Sequence, residues 1–133
     1  MDTATRQFVR SRAAERCEYC HLPQAGAPFL TFHVEHIHAQ QHVEDDALDN
    51  LAMACPDCNR YKGPNLTTLD PDTRSIVRLF HPRIDKWDEH FEFQGPVIVG
   101  RTPVGKATVR LLQMNADERV EMRAELIASG EMS

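Results

Sequence analysis

The sequence predicts an α+β chain held together by a metal staple. Three observations carry that expectation. Two Cys-x-x-Cys pairs, Cys17/Cys20 and Cys55/Cys58, hold all the cysteines of the chain. Residues around them alternate as strand, loop, strand and short helix. The second half then reads as a hairpin followed by two helices. At 133 residues, with 41% hydrophobic and 26% charged side chains, the length suits one domain, 1–133, whose modest core gains from a staple.

Taken in order, residues 4–15 read as an N-terminal helix, with Ala4, Phe8 and Val9 as a narrow apolar face and Asp2 or Thr3 as its cap. In FLTFHVEHI, Phe29, Thr31 and His33 alternate against Leu30, Phe32 and Val34, which predicts a strand. A polar loop closes at ALDN, and LAMA forms a short second strand. Pro56 fits a first helical position and Asp57 the positive helix end, while Gly63-Pro64 stops that helix after Lys62. HFEFQGPVIVG, beside Trp87, predicts a hairpin turning at Gly95-Pro96, and Thr102-Pro103 opens a helix through VGKATVRLLQM. Asn115 and Glu118 have capping-box spacing, with Asn in place of Ser or Thr. Ala116, Val120, Ala124 and Ile127 then share one face of a last helix ending near Gly130. Residues 67–133 are expected to pack on the first half as an extension.

No run of 18 apolar residues is present, and MDTATRQFVRSRAAER is too polar for a secretion signal, so a cytoplasmic chain without membrane spans is expected. The net charge of −5 disfavours indiscriminate coating of nucleic acid. Its distribution is uneven: from Glu35 to Asp57 there are six acidic residues and no Lys or Arg, whereas from Arg60 to Arg110 nine basic residues face six acidic ones. Solvated loops of mixed sign explain this, as does an acidic metal pocket beside a polyanion surface.

Paired thiols in a cytosolic chain are more often metal ligands than disulfides. Two residues between thiols let both sulfurs face one ion, and two such knuckles complete a closed tetrahedron suited to structural Zn²⁺. CEYCH alone has the form of a haem-attachment motif with His21 as axial ligand, but that requires export and leaves the second pair idle. A redox dithiol lacks the strand–helix setting. Residues 21–54 separate the knuckles, against about 15–20 residues in the common ribbon spacing. Four of the seven histidines cluster within that insert, at His33, His36, His38 and His42 in the stretch 33–46, and Cys58 runs directly into Asn59.

HVEHI, then Asp49-Asn50, then CPDCNRYKG, bracketed by paired cysteines, resembles the HNH endonucleases, which have the ββα-metal (His-Me finger) fold and cleave phosphodiester bonds in DNA. The resemblance covers 17–66, taken as the nuclease core with its zinc site. LFHPR, WDEHF, GRTPVG and LLQMN also look like the tail of a bacterial subfamily. The resemblance implies His36 as general base, Glu35 as the carboxylate touching a catalytic metal, Asn50 as the loop brace, and Asn59 at a position often held by histidine. The chain thus reads HNN, a variant of the pattern.

Those roles imply chemistry that the residue types can perform. An imidazole takes a proton from water near neutral pH. Glu35 and Asn59 offer only oxygen donors, which favours Mg²⁺ or Mn²⁺ as catalytic ion. Arg60 and Lys62 leave the same short helix toward phosphates; Arg101, Lys106 and Arg110 are further candidates, equally explained as a solvated face. In a regular strand Glu35 and His36 face opposite ways, so one shared site requires the strand to end there. His33 is a neighbour of the site or an ordinary polar residue; His38 and His42 read as loop residues, and His21, His81 and His90 carry no expected chemistry. The expected activity is metal-dependent DNA hydrolysis leaving 5′-phosphate and 3′-hydroxyl ends. The alternatives are a non-catalytic zinc-stabilised nucleic-acid-binding module and a zinc-stapled protein-interaction domain.

Overall fold

A computed structural model describes residues 1–132 as a mixture of helices and three small antiparallel sheets. The chain divides into two compact units, 1–64 and 65–133. Among the described residues no helix is long and apolar enough to cross a membrane.

The first unit opens with α1, Thr3–Arg12, whose N-cap Asp2 accepts a hydrogen bond from the Thr5 amide at 2.7 Å. The expected apolar face is corrected: Val9 and Ala13 are buried, whereas Ala4 is exposed and Phe8 lies at the surface beneath the Arg12 guanidinium. Arginine-to-carbonyl bonds tie the helix down, from Arg10 to Phe32 O and from Arg12 to Leu48 O and Leu51 O. Strand β1 is only His33–His36, shorter than the expected span. Before it, Gln24 holds the chain as a loop, donating to Leu30 O and accepting from the Phe32 amide; Phe29 is 74% exposed.

β1 pairs with β2, Leu51–Ala54, in antiparallel register, His36 opposite Leu51 and His33 opposite Ala54. Every residue of β2 is buried. Helix α2, Pro56–Lys62, follows at once, with Pro56 at its first position, Cys55 as N-cap and Gly63 closing it at φ 52°.

In the second unit, β3, Thr67–Leu69, pairs with β4, Ile76–Arg78, a hairpin the sequence reading did not foresee. A short helix α3, Trp87–His90, leads into β5, Phe91–Gln94, which pairs with β6, Val97–Gly100, across the Gly95-Pro96 turn. Trp87 packs on Phe91 and Phe93, with ring centroids 5.1 and 5.2 Å away. Helix α4, Pro103–Leu111, is capped by the Thr102 hydroxyl, which accepts from the Gly105 amide at 3.0 Å.

α5, Asp117–Ala128, corrects two expectations. Its N-cap is Ala116 with no side-chain cap, because the Asn115 carboxamide instead clamps both backbone groups of Ile98 at 2.9 and 2.7 Å. Its buried face carries Arg119, Arg123 and Leu126 rather than Val120 and Ala124. Arg119 donates to Leu112 O and Gln113 O, and Arg123 to Pro96 O and Met114 O. These guanidinium groups satisfy carbonyls just past the end of α4 and, at Pro96, one in the β5–β6 turn.

Candidate functional site

The two knuckles meet at the end of β2. Cys17, Cys20, Cys55 and Cys58 are all buried, and their sulfurs lie within 4.8 Å of one another. Backbone amides aim at two of them: Cys20 N at Cys17 Sγ, 3.5 Å, and Cys58 N at Cys55 Sγ, 3.4 Å. Cys20 Sγ and Cys55 Sγ are 3.7 Å apart. A tetrahedron with metal–sulfur bonds of about 2.3 Å has edges near 3.8 Å, so the donor set fits a Zn²⁺-type ion. Burial pushes the Cys17 and Cys58 thiols well above their ordinary value. Thiolates in such a dry pocket therefore require a cation.

The residues between Cys17 and Cys20 form the bridge from this cluster to the strands. Glu18 brackets Met53, its amide donating to Met53 O at 2.9 Å and its carboxylate accepting from Met53 N at 2.8 Å. The Tyr19 hydroxyl donates to Glu35 Oε1 inside the core. Sequence reasoning missed both residues. They look like knuckle spacers, and only the pairing of the first knuckle with β2 gives them partners.

Glu35 is 7% exposed and lies opposite Ala52 in β1. Beside Tyr19 it also faces Lys62 Nζ at 3.7 Å. Burial raises the Glu35 carboxyl above its ordinary value, against the opposing pull of Lys62 and Tyr19. Lys62 departs from the expected phosphate contact. It is 2% exposed, and its ammonium donates to Ile37 O at 2.9 Å. The last turn of α2 aims it across the helix into β1, because the buried carboxylate there needs a counter-charge.

β1 ends at His36, and past that end one cleft of about 420 Å³ is lined by Glu35, His36, Ala39, Gln40, Asn59, Arg60 and Gly63. The strand end thus brings two neighbouring side chains to one depression. His36 is half-buried, with Nε2 at 2.6 Å from Asp46 Oδ1. Asn59 sits one residue past the last thiol, half-buried on α2. Arg60 is exposed, held by Asp57 Oδ1 at 3.2 Å and lying over the Tyr61 ring.

Asn50 is buried outside this cleft. Its Oδ1 accepts from the His38 amide at 2.9 Å, and its Nδ2 donates to His38 O and Asp45 O at 3.2 and 2.8 Å. Its backbone carbonyl accepts from Ile37 N at 2.8 Å. One carboxamide therefore closes both ends of the 38–45 loop. His42 reaches Pro64 O with Nε2 at 3.1 Å, and His33 is exposed outside the cleft.

Oxygen donors of the kind hard cations prefer, the Glu35 carboxylate and the carboxamides of Asn59 and Gln40, are thus present in the cleft. A carboxylate has about four lone-pair sites, so the Tyr19 and Lys62 contacts leave acceptor capacity.

The family model described as HNH endonuclease matches residues 17–65. The chain is also 26% identical over 106 residues to the Septu protein PtuA of Bacillus mycoides (strain KBAB4), covering 71% of this chain and 14% of that protein. It therefore spans only a small part of the length of that relative. No solved structure matches the chain significantly. The matched segment begins at the first knuckle cysteine and ends just past α2, so it encloses the four thiols and every residue lining the cleft; residues 17–65 are a domain of the HNH endonuclease family.

Proposed function

We propose that this domain is a metal-dependent endonuclease that hydrolyses phosphodiester bonds in DNA, on a ββα-metal core of β1, β2 and α2. The observation that carries the reading is the single cleft holding His36, Glu35, Asn59 and Arg60 next to the four-cysteine cluster. His36 is the general base. A water proton passes to its imidazole, the water oxygen bonds to phosphorus, and the bond from phosphorus to the 3′ oxygen breaks. The departing oxygen takes a proton from solvent, leaving 3′-hydroxyl and 5′-phosphate ends. Glu35 and Asn59 are the residues that would hold the catalytic ion. Bound Mg²⁺ or Mn²⁺ supplies charge neutralisation at the phosphate and the 3′ oxygen. Arg60, exposed at the cleft rim, holds a flanking phosphate, a contact that positions without reading sequence. Lys62 has no part in that contact.

The test is nicking of supercoiled plasmid by the zinc-loaded chain across Mg²⁺, Mn²⁺, Zn²⁺ and Ni²⁺. Cleavage is expected with Mg²⁺ or Mn²⁺, and His36→Ala is expected to lower it by at least about 100-fold with zinc content and circular dichroism unchanged. Cleavage that survives His36→Ala, or that runs far better with Zn²⁺ or Ni²⁺, overturns the assignment. A second reading, a non-catalytic zinc-stabilised module that binds nucleic acid, draws on the engagement of Glu35 by Tyr19 and Lys62. It predicts salt-dependent DNA binding without cleavage in any metal.

A further inference from the structure

We propose that Asp46 is the positioning residue of the base: its carboxylate accepts a hydrogen bond from Nε2–H of His36 and thereby leaves Nδ1 as the atom that accepts the proton of water. This rests on the nuclease reading above. The motif comparison gives Asp46 no role, and in sequence it is one carboxylate among the acidic residues of a polar loop.

Three observations support it. First, His36 Nε2 and Asp46 Oδ1 are 2.6 Å apart, just under the about 2.7–2.9 Å of a charge-assisted N–H···O hydrogen bond. A neutral imidazole has one donor and one acceptor nitrogen, and a carboxylate only accepts. Asp46 therefore fixes the tautomer as Nε2–H and the lone pair on Nδ1.

Second, the chain on either side of Asp46 is tied down. Asp45 O accepts from Asn50 Nδ2 at 2.8 Å, and Asp45 Oδ1 accepts from the Ala47 amide at 2.9 Å. Ala47 O in turn accepts from the Asn50 amide at 2.8 Å. Both chain neighbours of Asp46 are thus pinned, and the same Asn50 accepts at its backbone carbonyl from Ile37, the residue after His36. Asn50 sets the gap that Asp46 closes.

Third, stability does not explain the contact. The Asp46 side chain is 67% exposed, and pairs of that kind contribute little to folding. A bond that does little for stability, aimed at a ring lining the cleft, orients that ring.

The experiment compares Asp46→Ala and Asp46→Asn with Glu44→Gln, an exposed acidic neighbour outside the network, all in the full zinc-loaded chain. Two readouts are taken. Cleavage of plasmid under saturating Mg²⁺ is expected to lose about 10–100-fold in kcat for Asp46→Ala with KM little changed, less for Asp46→Asn, and nothing for Glu44→Gln. Two-bond ¹⁵N–¹H correlation of the His36 ring is expected to show the Nε2–H tautomer in the parent chain and a mixture in Asp46→Ala. The second readout does not depend on activity. An Nδ1–H tautomer in the parent chain, or an unchanged spectrum and kcat in Asp46→Ala, overturns the proposal. If His36→Ala still abolishes cleavage in that case, the nuclease reading stands without Asp46. If His36→Ala is silent, the parent reading fails while the tautomer measurement still decides the orienting contact.

Discussion

Lys62 illustrates how one side chain changes meaning once its surroundings are known. In sequence it is a basic residue at the end of a short helix, beside Arg60 and suited to phosphate. In the fold the two diverge: Arg60 stays at the surface, and Lys62 turns inward to Glu35 and Ile37 O. Helical positions two apart differ by about 200°, so Arg60 and Lys62 point to nearly opposite faces. Removing one partner of a buried pair strands the other charge. Lys62→Met is therefore expected to destabilise the zinc-loaded chain by about 3–5 kcal/mol, read from urea denaturation. Tyr19→Phe, which deletes one hydrogen bond to a buried carboxylate, should cost about 1–3 kcal/mol in the same assay. Losses under about 0.5 kcal/mol for either would mean that the network does not hold β1 and α2 together.

At the level of elements, close backbone approach and a buried polar lattice shape the second unit. A Cβ at Gly105 would drive into the His90 carbonyl, and one at Gly100 into the Lys106 backbone, so α4 closes on α3 and β6 only through glycine. Gly105→Ala is expected to lower stability by about 1–3 kcal/mol or more, measured as a drop in Tm. A carboxylate binds the preceding loop: Asp85 takes a two-pronged contact from Arg78 at 2.6 and 2.9 Å and the His81 amide at 2.9 Å. Burial alone would raise the Asp85 carboxyl, but Arg78, the His81 amide and nearby His90 hold it below its ordinary 3.8. With the folded value depressed, its stabilisation is full above pH 3.8 and is lost as pH falls through the lowered value. Melting followed from pH 6 to pH 2 should show this acid limb, shallower in Asp85→Asn. An identical limb in both chains would assign acid sensitivity elsewhere.

For the whole molecule, the first unit places four buried thiols where they can bind one metal ion. Such ions contribute on the order of 10 kcal/mol of apparent binding energy, comparable with the stability of a small domain. Chelation, or Cys58→Ser, should therefore strip hydrogen-exchange protection from Leu51–Ala54 and from Pro56–Lys62 and abolish stoichiometric zinc. Protection that persists without metal would show that packing alone holds the hairpin and α2.

The sequence by itself determined what is written in local spacing: the two knuckles, the Pro56 start and Gly63 stop of α2, the Gly95 turn and the Thr102 cap. Each depends on residues within a few positions of one another, where backbone geometry and ligand reach are set by chemistry alone. Only the tertiary structure decided that Tyr19 and Lys62 converge on Glu35, that Asp46 reaches His36, and that Asn115 clamps Ile98 instead of capping α5. Those contacts join side chains brought together by strand pairing and loop closure. The buried face of α5 was illegible for a related reason: periodicity counts arginine as outward, whereas Arg119 and Arg123 are drawn in by carbonyls past the end of α4 and in the β5–β6 turn.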